Sequence, residues 1–487
     1  MKNRNNPFLQ GIRASVFFIV LLVFATCFPA TSVKAAERKP NFIIILADDL
    51  GYGDCGFTGS KQIKTPRIDA LARDGVVCLQ GYVSSPVCAP SRAGLLTGRN
   101  QPSFGFDNNL PQRPLKQFNE EHSGLPLDVR TIADRLSDLG YMNGIVGKWH
   151  LGEADHFHPL KRGFHEFWGY LGGGHDYFRS DPGSRASYLR PVICNYKEPQ
   201  PITYLTDDKG DECVDFIRRH KDRPFFLYAS FNAPHGPLQA TDEDLALYSH
   251  IKNEPRRTYC AMVHRLDVNV GRIVDELRKH DLHDNTMVVF LSDNGGPIKR
   301  SRKGGSVAGI RSNAPFRGSK GNLLEGGIRV PFIVSMPGMF EGGGTFSQPV
   351  SSLDLTPTFV HLAGGTVEDA DQLDGIDLVP LLQGREEKIS ARELMWRFTI
   401  SGCLREGDWK MIRLPDRLPM LFNVEDDQAE LNDLAEAHPE RVRDMLRRFG
   451  AWDVSLPHPH FLEGDRFRRE QMESYDAEYN LVQPDGE

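Results

Sequence analysis

From Asn41 onwards, short runs of β-branched and aromatic residues alternate with longer stretches of helical periodicity. The first run is Asn41–Ala47, and a helix start follows at Thr65 and Pro66, residue types that are preferred at an N-cap and at the first helical position. Such alternation is typical of βαβ units, in which helices cover both faces of a sheet. It predicts an α/β protein with a large mixed, mostly parallel central sheet sandwiched by helices.

The alternation continues along most of the chain, with three further strands predicted at Gly144–Val146, Phe225–Phe231 and Met287–Leu291. Around residues 365–390 the pattern changes, and short strands followed by a helix predict a smaller C-terminal antiparallel-sheet subdomain. We expect the charged segment from Phe461 onwards to lie along the surface or to fray. The expected domains are a signal peptide over residues 1–35, a main α/β domain over 36–380, and the C-terminal α+β subdomain with its tail over 381–487.

The N-terminal segment has the layout of a cleaved secretory signal. Three basic residues precede an apolar run from Val16 to Phe24, and the small-residue site Val33-Lys34-Ala35 follows. The alternative is a membrane anchor, but an unbroken run of nine apolar residues is shorter than the ~20 that a spanning helix needs. The sequence therefore predicts cleavage before Ala36 and a secreted or periplasmic protein with no membrane association.

The charge balance excludes one class of partner. The chain has 58 basic and 65 acidic residues, a net charge of −7, and loss of the first 35 residues with their four bases and no acid gives −11. A chain this acidic is no general nucleic-acid binder. Between Asn294 and Leu324, however, seven bases occur without an acid, which favours either a solvated loop or a site for a further anionic group of a substrate. These bases are Lys299, Arg300, Arg302, Lys303, Arg311, Arg317 and Lys320.

Polar clusters follow the predicted strands at the points where the strands end. In open α/β sheets ligands bind outside the carboxyl ends of the strands, so we expect these clusters to converge on one edge. Each cluster alone could be only a turn or a helix cap. Together they supply three carboxylates and a carboxamide, which are ligands suited to Ca²⁺ or Mg²⁺ and not to zinc. The clusters are Asp48-Asp49, Lys148-Trp149-His150, Asn232-Ala233-Pro234-His235 and Asp293-Asn294.

Three of the clustered side chains carry or can carry positive charge: Lys148, His150 and His235. A lone histidine is more often a satisfied polar residue than a functional one. Beside a divalent cation these side chains can instead stabilise the negative charge that develops on oxygens during group transfer. Lys320 is ambiguous, because its glycine flanks are also typical of an ordinary surface loop.

Cys88 lies just before Pro90, where the sequence predicts a helix start. The positive end of a helix favours a thiolate or an anionic adduct, and Arg92 then lies one turn along the helix. The alternative is a buried cysteine that packs a loop. Seven cysteines remain after loss of the signal and none forms a Cys-x-x-Cys pair, which argues against a zinc ribbon or a thioredoxin-like site.

The segment Cys88-Ala89-Pro90-Ser91-Arg92, followed by Leu95-Leu96-Thr97-Gly98, resembles the Cys-x-Pro-Ser-Arg signature of the type I, formylglycine-dependent sulfatases of the alkaline-phosphatase-like superfamily. The resemblance extends over nearly the whole mature chain, and the C-terminal part with Leu421-Phe422-Asn423-Val424 is similar to the small antiparallel-sheet subdomain of that family. Further matching segments occur in family order at residues 47–54, 147–152, 233–235, 292–296 and 326–331, together with the Lys320 loop.

The resemblance implies that a formylglycine-generating or sulfatase-maturating enzyme oxidises Cys88 to Cα-formylglycine. One hydroxyl of the hydrated aldehyde then attacks sulfur, the alcohol leaves, and the second hydroxyl helps to expel sulfate while the aldehyde re-forms. It also implies a Ca²⁺ site formed by an oxygen of residue 88 with Asp48, Asp49, Asp293 and Asn294. Arg92 would steady the hydrate and the carboxylates, and Lys148 and Lys320 would contact sulfate oxygens. His150 would act as a base, and His235 would assist the leaving group.

The substrate is less constrained than the reaction. Long irregular segments at residues 101–125 and 171–202 suit the rim of a site, and five tryptophans suit stacking on sugars, so we expect a sulfated carbohydrate. Two alternatives stay open. One is a phosphonate monoester or phosphodiester hydrolase of the same superfamily, and the other is an unmodified, non-catalytic Ca²⁺-dependent binder of sulfated glycans.

Overall fold

The structure is a computed structural model that describes residues 38–110, 122–181, 190–197, 200–298, 310–385, 392–462 and 465–480. The predicted signal peptide and the four bases Lys299, Arg300, Arg302 and Lys303 lie outside these residues. In the described part of the chain, no helix combines the length and the apolar character that crossing a bilayer requires.

The strands form three sheets. A nine-stranded sheet has the order β10-β2-β9-β8-β1-β7-β4-β5-β6, a two-stranded sheet pairs β11 with β3, and a four-stranded sheet has the order β12-β13-β14-β15. The strands are β1 (Asn41–Ala47), β2 (Val76–Cys78), β3 (Gly81–Tyr82), β4 (Met142–Lys148), β5 (Glu166–Tyr170), β6 (Ile193–Cys194), β7 (Phe225–Ser230), β8 (Thr286–Ser292), β9 (Phe332–Ser335), β10 (Gly344–Phe346), β11 (Val350–Ser351), β12 (Glu393–Phe398), β13 (Ser401–Glu406), β14 (Trp409–Arg413) and β15 (Met420–Asn423).

The helices cover the large sheet or pack on the small one. They are α1 (Pro66–Arg73), α2 (Cys88–Thr97), α3 (Ile132–Asp138), α4 (Leu205–His220), α5 (Asp242–Leu247), α6 (Glu254–Lys279), α7 (Glu325–Ile328), α8 (Leu355–Leu362), α9 (Val379–Leu382), α10 (Pro439–Ser455) and α11 (Asp465–Asn480).

The five strands at the centre of the large sheet, β8, β1, β7, β4 and β5, run parallel to one another. Alternate residues of β1 enter two different cores. Phe42, Ile44 and Leu46 belong to the core beneath α2, α3 and α8, whereas Ile43 and Ile45 belong to the core beneath α1, α4 and α6. A strand that is buried on both faces reads as a continuous apolar run, which is how β1 appears in the sequence. The predicted fold class is confirmed.

The small sheet also packs on two faces. Trp396, Phe398 and Phe422 join the core of the large sheet, whereas Met411 and Leu421 face α10 in a separate apolar cluster. The described residues from Lys39 onwards accordingly form one compact unit.

The C-terminal segment, predicted to lie along the surface or to fray, forms a helix whose described side chains are mostly exposed or half-buried, with two of them buried. Helix α11 begins at Asp465, and its residues Gln471 and Tyr475 are buried against the rest of the protein. The segment shows few apolar residues, so its sequence indicates a surface position. The hydroxyl of Tyr475 accepts from the N–H of Leu323 at 2.7 Å, and Oε1 of Gln471 accepts from Oγ1 of Thr399 at 2.8 Å, so these two residues attach the helix to the rest of the protein.

Candidate active site

The carboxyl ends of the central parallel strands meet at one edge of the large sheet. The backbone N–H of Asp48 donates to the carbonyl of Ala233 at 3.2 Å, and that of Asp293 donates to the carbonyl of Ala47 at 3.0 Å. These bonds join the residues that follow β1, β7 and β8. Lys148 is the last residue of β4, so its side chain reaches the same edge. The structure therefore brings together the polar clusters that the sequence places after four separate strands.

Cys88 is the first residue of α2, and its side chain points at this edge. The Sγ atom lies 3.6 Å from Oδ1 of Asp48 and 2.9 Å from Nζ of Lys320. The helix begins two residues earlier than the position that Pro90 indicates. All ten residues of α2 are buried, which explains how the protein holds this helix terminus against the strand ends.

Arg92 lies one turn into α2 and is fully buried. Its Nε donates to Oδ2 of Asp293 at 2.9 Å, and a second guanidinium nitrogen lies 3.5 Å from Oδ2 of Asp48. The third nitrogen donates to Oγ of Ser230 at 2.6 Å. The planar guanidinium, with its five fixed donors, therefore joins α2 to residues that follow β1 and β8.

Two ammonium groups face the aspartates from opposite parts of the chain. Nζ of Lys148 lies 2.6 Å from Oδ2 of Asp48 and is fully buried. Nζ of Lys320 lies 2.7 Å from Oδ1 of Asp49, in addition to its contact with Cys88. The ambiguous lysine of the glycine-flanked loop is thus part of the cluster.

The oxygen atoms at this edge fit a hard divalent cation. Ligand atoms of Asp48, Asp49, Cys88 and His235 all lie within 4.8 Å of one another. Oδ1 of Asn294 is buried and has no hydrogen-bond partner among the described residues, while its Nδ2 donates to Oδ1 of Asp49 at 2.8 Å. A buried carbonyl oxygen without a donor is costly unless a ligand satisfies it. The oxygens of Asp48, Asp49 and Asn294 suit Ca²⁺ or Mg²⁺, whereas Asp293, which the resemblance also assigns to the metal, is outside the group of ligand atoms within 4.8 Å.

The two histidines occupy different positions in the cluster. His235 follows β7, with Nε2 3.7 Å from Oδ2 of Asp49 and Nδ1 2.6 Å from the carbonyl oxygen of Gly236. Because the carbonyl can only accept, Nδ1 carries the proton and donates the hydrogen bond, which leaves Nε2 facing the aspartate. Burial lowers the pKa of His150 well below its usual value, and the charges of Lys148 and Arg92 lower it further, so its imidazole is neutral at neutral pH.

Opposing charges set the protonation of the aspartates. Burial favours the neutral carboxyl at Asp48, but Lys148 and the other cations around it hold its pKa well below the usual value. For Asp293, burial and the nearby Asp48 carboxylate prevail over Arg92 and raise the pKa to about 6. Three carboxylates thus face three side-chain cations, Arg92, Lys148 and Lys320, and among the carboxylates only Asp293 has a raised pKa.

The thiol of Cys88 is not activated. Burial raises its pKa to about 12, although Lys148 and Lys320 act in the opposite direction. The expectation of a thiolate at the helix terminus therefore does not hold for the unmodified side chain, because loss of solvation outweighs the favourable field of the helix end.

Two residues of the site have strained backbones. Asp49 has a φ of +66° and His150 a φ of +58°, values that residues other than glycine adopt at a cost of order 1–3 kcal/mol each. Both follow directly on the carboxyl ends of strands, where the chain must turn sharply while the side chain stays at the edge. The neighbouring structure over-determines both conformations, as is common at functional sites.

Lys209 is a buried residue of the site that the sequence analysis did not identify. Its Nζ donates to Oδ1 of Asn232 at 2.6 Å and lies 4.9 Å from the ring centre of Tyr170. Burial lowers its pKa well below the usual value. Lys209 falls four residues after Leu205 and four before Cys213 on α4, so a charge on the apolar face of a predicted helix is the signal that could have revealed it.

Part of the basic stretch between Asn294 and Leu324 also reaches the cluster. Arg311 donates to the carbonyl of Pro234 at 3.2 Å, and its charge helps to lower the pKa of Asp49. With Lys320 it places two of the seven bases beside the aspartates. Whether the remaining bases contact a substrate stays a prediction.

Comparisons with known proteins agree with this geometry. The profile of the sulfatase family matches residues 40–365. An N-acetylgalactosamine-6-sulfatase of Sus scrofa is 35% identical over 390 residues, which cover 77% of this chain and 72% of that protein. The crystal structure of Ps i-CgsB in complex with k-i-k-neocarrahexaose is 37% identical, has a TM-score of 0.81, and covers 91% of this chain and 100% of that one.

A more distant neighbour carries a different activity. The phosphonate monoester hydrolase SpPMH from Silicibacter pomeroyi has a TM-score of 0.62 and is 18% identical, over 86% of this chain and 96% of that one. This likeness extends to the fold alone.

Proposed function

The chain belongs to the sulfatase family and is a sulfuric ester hydrolase, and from this premise we propose that it cleaves sulfate monoesters of carbohydrates with a formylglycine at position 88 and a bound Ca²⁺. The observation that carries the proposal is the placement of Cys88. Its side chain ends within 3.6 Å of both an aspartate and a lysine of the buried cluster, at the start of a helix.

The modification of Cys88 accounts for a nucleophile that the thiol itself does not provide. A hydrated aldehyde at this position would supply an attacking hydroxyl and a second hydroxyl for the release of sulfate. The proposal is supported by the Cys-Ala-Pro-Ser-Arg segment and by the burial of the thiol, which keeps it protonated at neutral pH. It requires a maturating enzyme as a partner during biosynthesis.

Ca²⁺ would be held by Asp48, Asp49, Asp293 and Asn294 with an oxygen of residue 88, and it would supply positive charge that makes a neighbouring hydroxyl more acidic. The unpartnered Oδ1 of Asn294 supports this assignment. Arg92 keeps the carboxylates of Asp48 and Asp293 in fixed positions through bonds from two of its nitrogens.

The remaining cations act on the sulfate group. Negative charge moves onto oxygen atoms as the bond to the departing alcohol breaks, and fixed ammonium groups stabilise such charge without reorganisation. Lys320 is placed for this role by its contact with Cys88, and Lys148 by its bond to Asp48. Neutral His150 can accept a proton near residue 88. The ring of His235, oriented by Gly236, can deliver a proton from Nε2 to the leaving oxygen only in its imidazolium form, since the neutral ring carries its proton on Nδ1.

The substrate class is proposed from two of the relatives. The porcine relative is named for N-acetylgalactosamine, and Ps i-CgsB was crystallised with a neocarrahexaose. Both are carbohydrates, and both relatives are at least 35% identical to this chain. We also propose export of the chain with removal of residues 1–35, and a boundary between main domain and C-terminal subdomain near residue 380.

A substrate panel tests the reaction. Purified protein is assayed with sulfate monoesters of hexoses and hexosamines, an aryl sulfate, a phosphonate monoester and a phosphodiester, before and after treatment with a chelator. We expect release of sulfate from at least one sugar, loss of activity on chelation, and recovery with Ca²⁺. Faster turnover of the phosphonate or the diester would favour the hydrolase alternative, whereas binding without turnover would favour the non-catalytic glycan binder.

Mass analysis of one tryptic peptide tests the modification. The segment from Asp74 to Arg92 contains no internal lysine or arginine and carries both Cys78 and Cys88. After denaturation and alkylation we expect one alkyl group, on Cys78, and an aldehyde at position 88. Two alkyl groups on a fully active enzyme would contradict the proposal.

A further inference from the structure

The loop that carries Lys320 is anchored by the C-terminal part of the chain. Three residues after Lys320, the backbone N–H of Leu323 donates to the hydroxyl oxygen of Tyr475 at 2.7 Å. Tyr475 lies in α11 and is 1% exposed. Its hydroxyl is thus a buried partner for a backbone group that would otherwise be unsatisfied.

A second anchor follows two residues later. The backbone N–H of Glu325 donates to Oε2 of Glu430 at 2.7 Å, and its side chain lies 2.8 Å from Nζ of Lys410. Lys410 also lies 2.9 Å from Oε1 of Glu430, which closes a triangle of charged side chains. All three side chains are fully buried, so their mutual bonds replace the hydration that each has lost.

The Lys320 loop is held directly after the lysine by a backbone bond, since the N–H of Gly321 donates to the carbonyl of Pro86 at 3.0 Å. Gly318 and Gly321 both have a φ of +92°, a region that glycine adopts without strain, and they flank the lysine on either side. The backbone N–H of Lys320 meets the carbonyl of Gly296 only at 3.4 Å. The anchors at Leu323 and Glu325 come next along the chain and fix the direction in which it leaves the Gly321–Pro86 bond, and so add to what positions Lys320.

We infer that Tyr475 and the buried triangle of Glu325, Lys410 and Glu430 are positioning groups for Lys320, so that the C-terminal part of the chain completes the catalytic site through the Lys320 loop. The inference rests on the proposed role of Lys320 at the sulfate group. The inference gives α11 a positioning role in catalysis through Tyr475, although the hydroxyl of Tyr475 contacts neither Cys88 nor the aspartates.

A purely structural role is the competing explanation, because the same contacts join the small sheet to the large one. The two explanations differ in what happens when Lys320 is already gone. A positioning group has no further effect in that background, whereas a group that only maintains the folded fraction lowers the rate by the same factor in both backgrounds.

The experiment compares Tyr475→Phe, Lys320→Ala and the double variant, with Tyr196→Phe as a control at a tyrosine that is 56% exposed. For Tyr475→Phe we expect kcat to fall about tenfold with KM nearly unchanged, since the lysine is displaced from the reacting group and the substrate pocket is not. In the Lys320→Ala background the same change should have no further effect, and the control should resemble the wild type.

A full tenfold loss in both backgrounds, or no loss in either, would overturn the inference while leaving the role of Lys320 intact. Full activity of Lys320→Ala would instead refute the proposed role of that lysine, and the inference with it.

Should Tyr475→Phe not fold, Glu430 offers a second test. Glu430→Ala should lower kcat, and Glu430→Gln, which retains an acceptor for the N–H of Glu325, should recover most of it. Equal kcat values for both variants would contradict the inference.

Discussion

Two buried groups of charged residues in this protein differ in how many of their polar atoms have a hydrogen-bond or ion-pair partner. The first surrounds Asp48 at the edge of the large sheet. The second, which we term the Glu325 cluster, comprises Glu325, Arg329, Lys410, Glu430 and Tyr82 and joins the two sheets. Both carboxylate oxygens of Glu325 have partners. The hydroxyl of Tyr82 donates to Oε2 at 2.6 Å and Arg329 lies 3.2 Å from the same oxygen, while Nζ of Lys410 lies 2.8 Å from Oε1.

The Asp48 group contains buried polar atoms that are free to bind a ligand. Oδ1 of Asn294 and Nδ1 of His150 are buried without partners among the described residues, and two of its residues have strained backbones. Burial of charge is common to both groups and therefore does not by itself indicate catalysis. Oε1 of Glu430 in the Glu325 cluster also lacks a hydrogen bond, but it lies 2.9 Å from Nζ of Lys410. What distinguishes the Asp48 group is the amide oxygen of Asn294, which has no hydrogen bond among the described residues and lies beside ligand atoms that are within 4.8 Å of one another.

The largest effect is expected at Cys88, where no other residue can replace the proposed aldehyde. Cys88→Ala should reduce sulfate release to the level of the buffer. Cys88→Ser should do nearly the same, because a sulfated alcohol cannot release sulfate by collapse to an aldehyde. Steady-state assays check both variants, with Cys78→Ala as a control at a buried cysteine of the same peptide. Sustained multiple turnover by Cys88→Ser would contradict the proposed chemistry.

Loss of one ammonium group from the Asp48 group should have the next largest effect. Lys148→Ala should lower kcat by roughly 100-fold to 1,000-fold if the charge acts mainly in the transition state. Lys161→Ala, at an exposed lysine beyond the same strand, is the matched control. Measurement of kcat and KM separately checks the reason, since a rise in KM alone would show that Lys148 only binds the ground state.

The Ca²⁺ content of the protein tests whether the Asp48 group binds a metal ion. Asp293→Ala removes one carboxylate and the partner of Arg92, so the variant should retain less Ca²⁺ and less activity. Native mass spectrometry measures the stoichiometry, with Asp284→Ala as a control at an aspartate whose side chain is 82% exposed. A full complement of Ca²⁺ in Asp293→Ala would remove Asp293 from the ligand set.

The sequence predicts the Asp48 group well and the Glu325 cluster not at all. Polar residues directly after apolar strands are conspicuous, so Asp48, Lys148, His235 and Asp293 stand out by position alone. Four strands of the large sheet, β1, β4, β7 and β8, could be predicted from their apolar runs, and β1 has the expected bounds.

The Glu325 cluster gives no such signal, because Tyr82, Lys410 and Glu430 lie far from Glu325 along the chain and its charged members each resemble an ordinary surface charge. Lys410, for instance, lies in the middle of β14, where alternation alone does not say which face meets another buried charge. Tyr475 is concealed in the same way by the charged residues around it. Tertiary contacts bury these groups, and local sequence carries no record of those contacts.

The smallest expected effect concerns the charge balance of the Glu325 cluster. Burial favours the neutral forms, but Lys410 and Arg329 prevail at Glu325 and lower its pKa to about 2. At Glu430 burial prevails over Lys410 and raises the pKa to about 7. One ammonium group between two carboxylates therefore leaves the second carboxylate incompletely compensated.

Removal of that second charge should alter how stability depends on pH. Between the ordinary glutamate value of about 4.3 and the folded value of about 7, the folded protein holds a proton on Glu430 that the unfolded chain has lost, so this residue destabilises the fold as the pH rises. Glu430→Gln keeps the acceptor for the N–H of Glu325 but cannot ionise. Relative to wild type, its free energy of unfolding should therefore increase from pH 5 to pH 8.

Denaturant unfolding at several pH values measures this difference. Glu440→Gln is the control, because Glu440 lies in α10 with a side chain that is 80% exposed. Its free energy of unfolding should follow the wild type across the range. A constant difference between Glu430→Gln and wild type would mean that Glu430 is ionised throughout and that Lys410 fully compensates both carboxylates. The charges of the Glu325 cluster would then be fully compensated, which would sharpen its contrast with the Asp48 group.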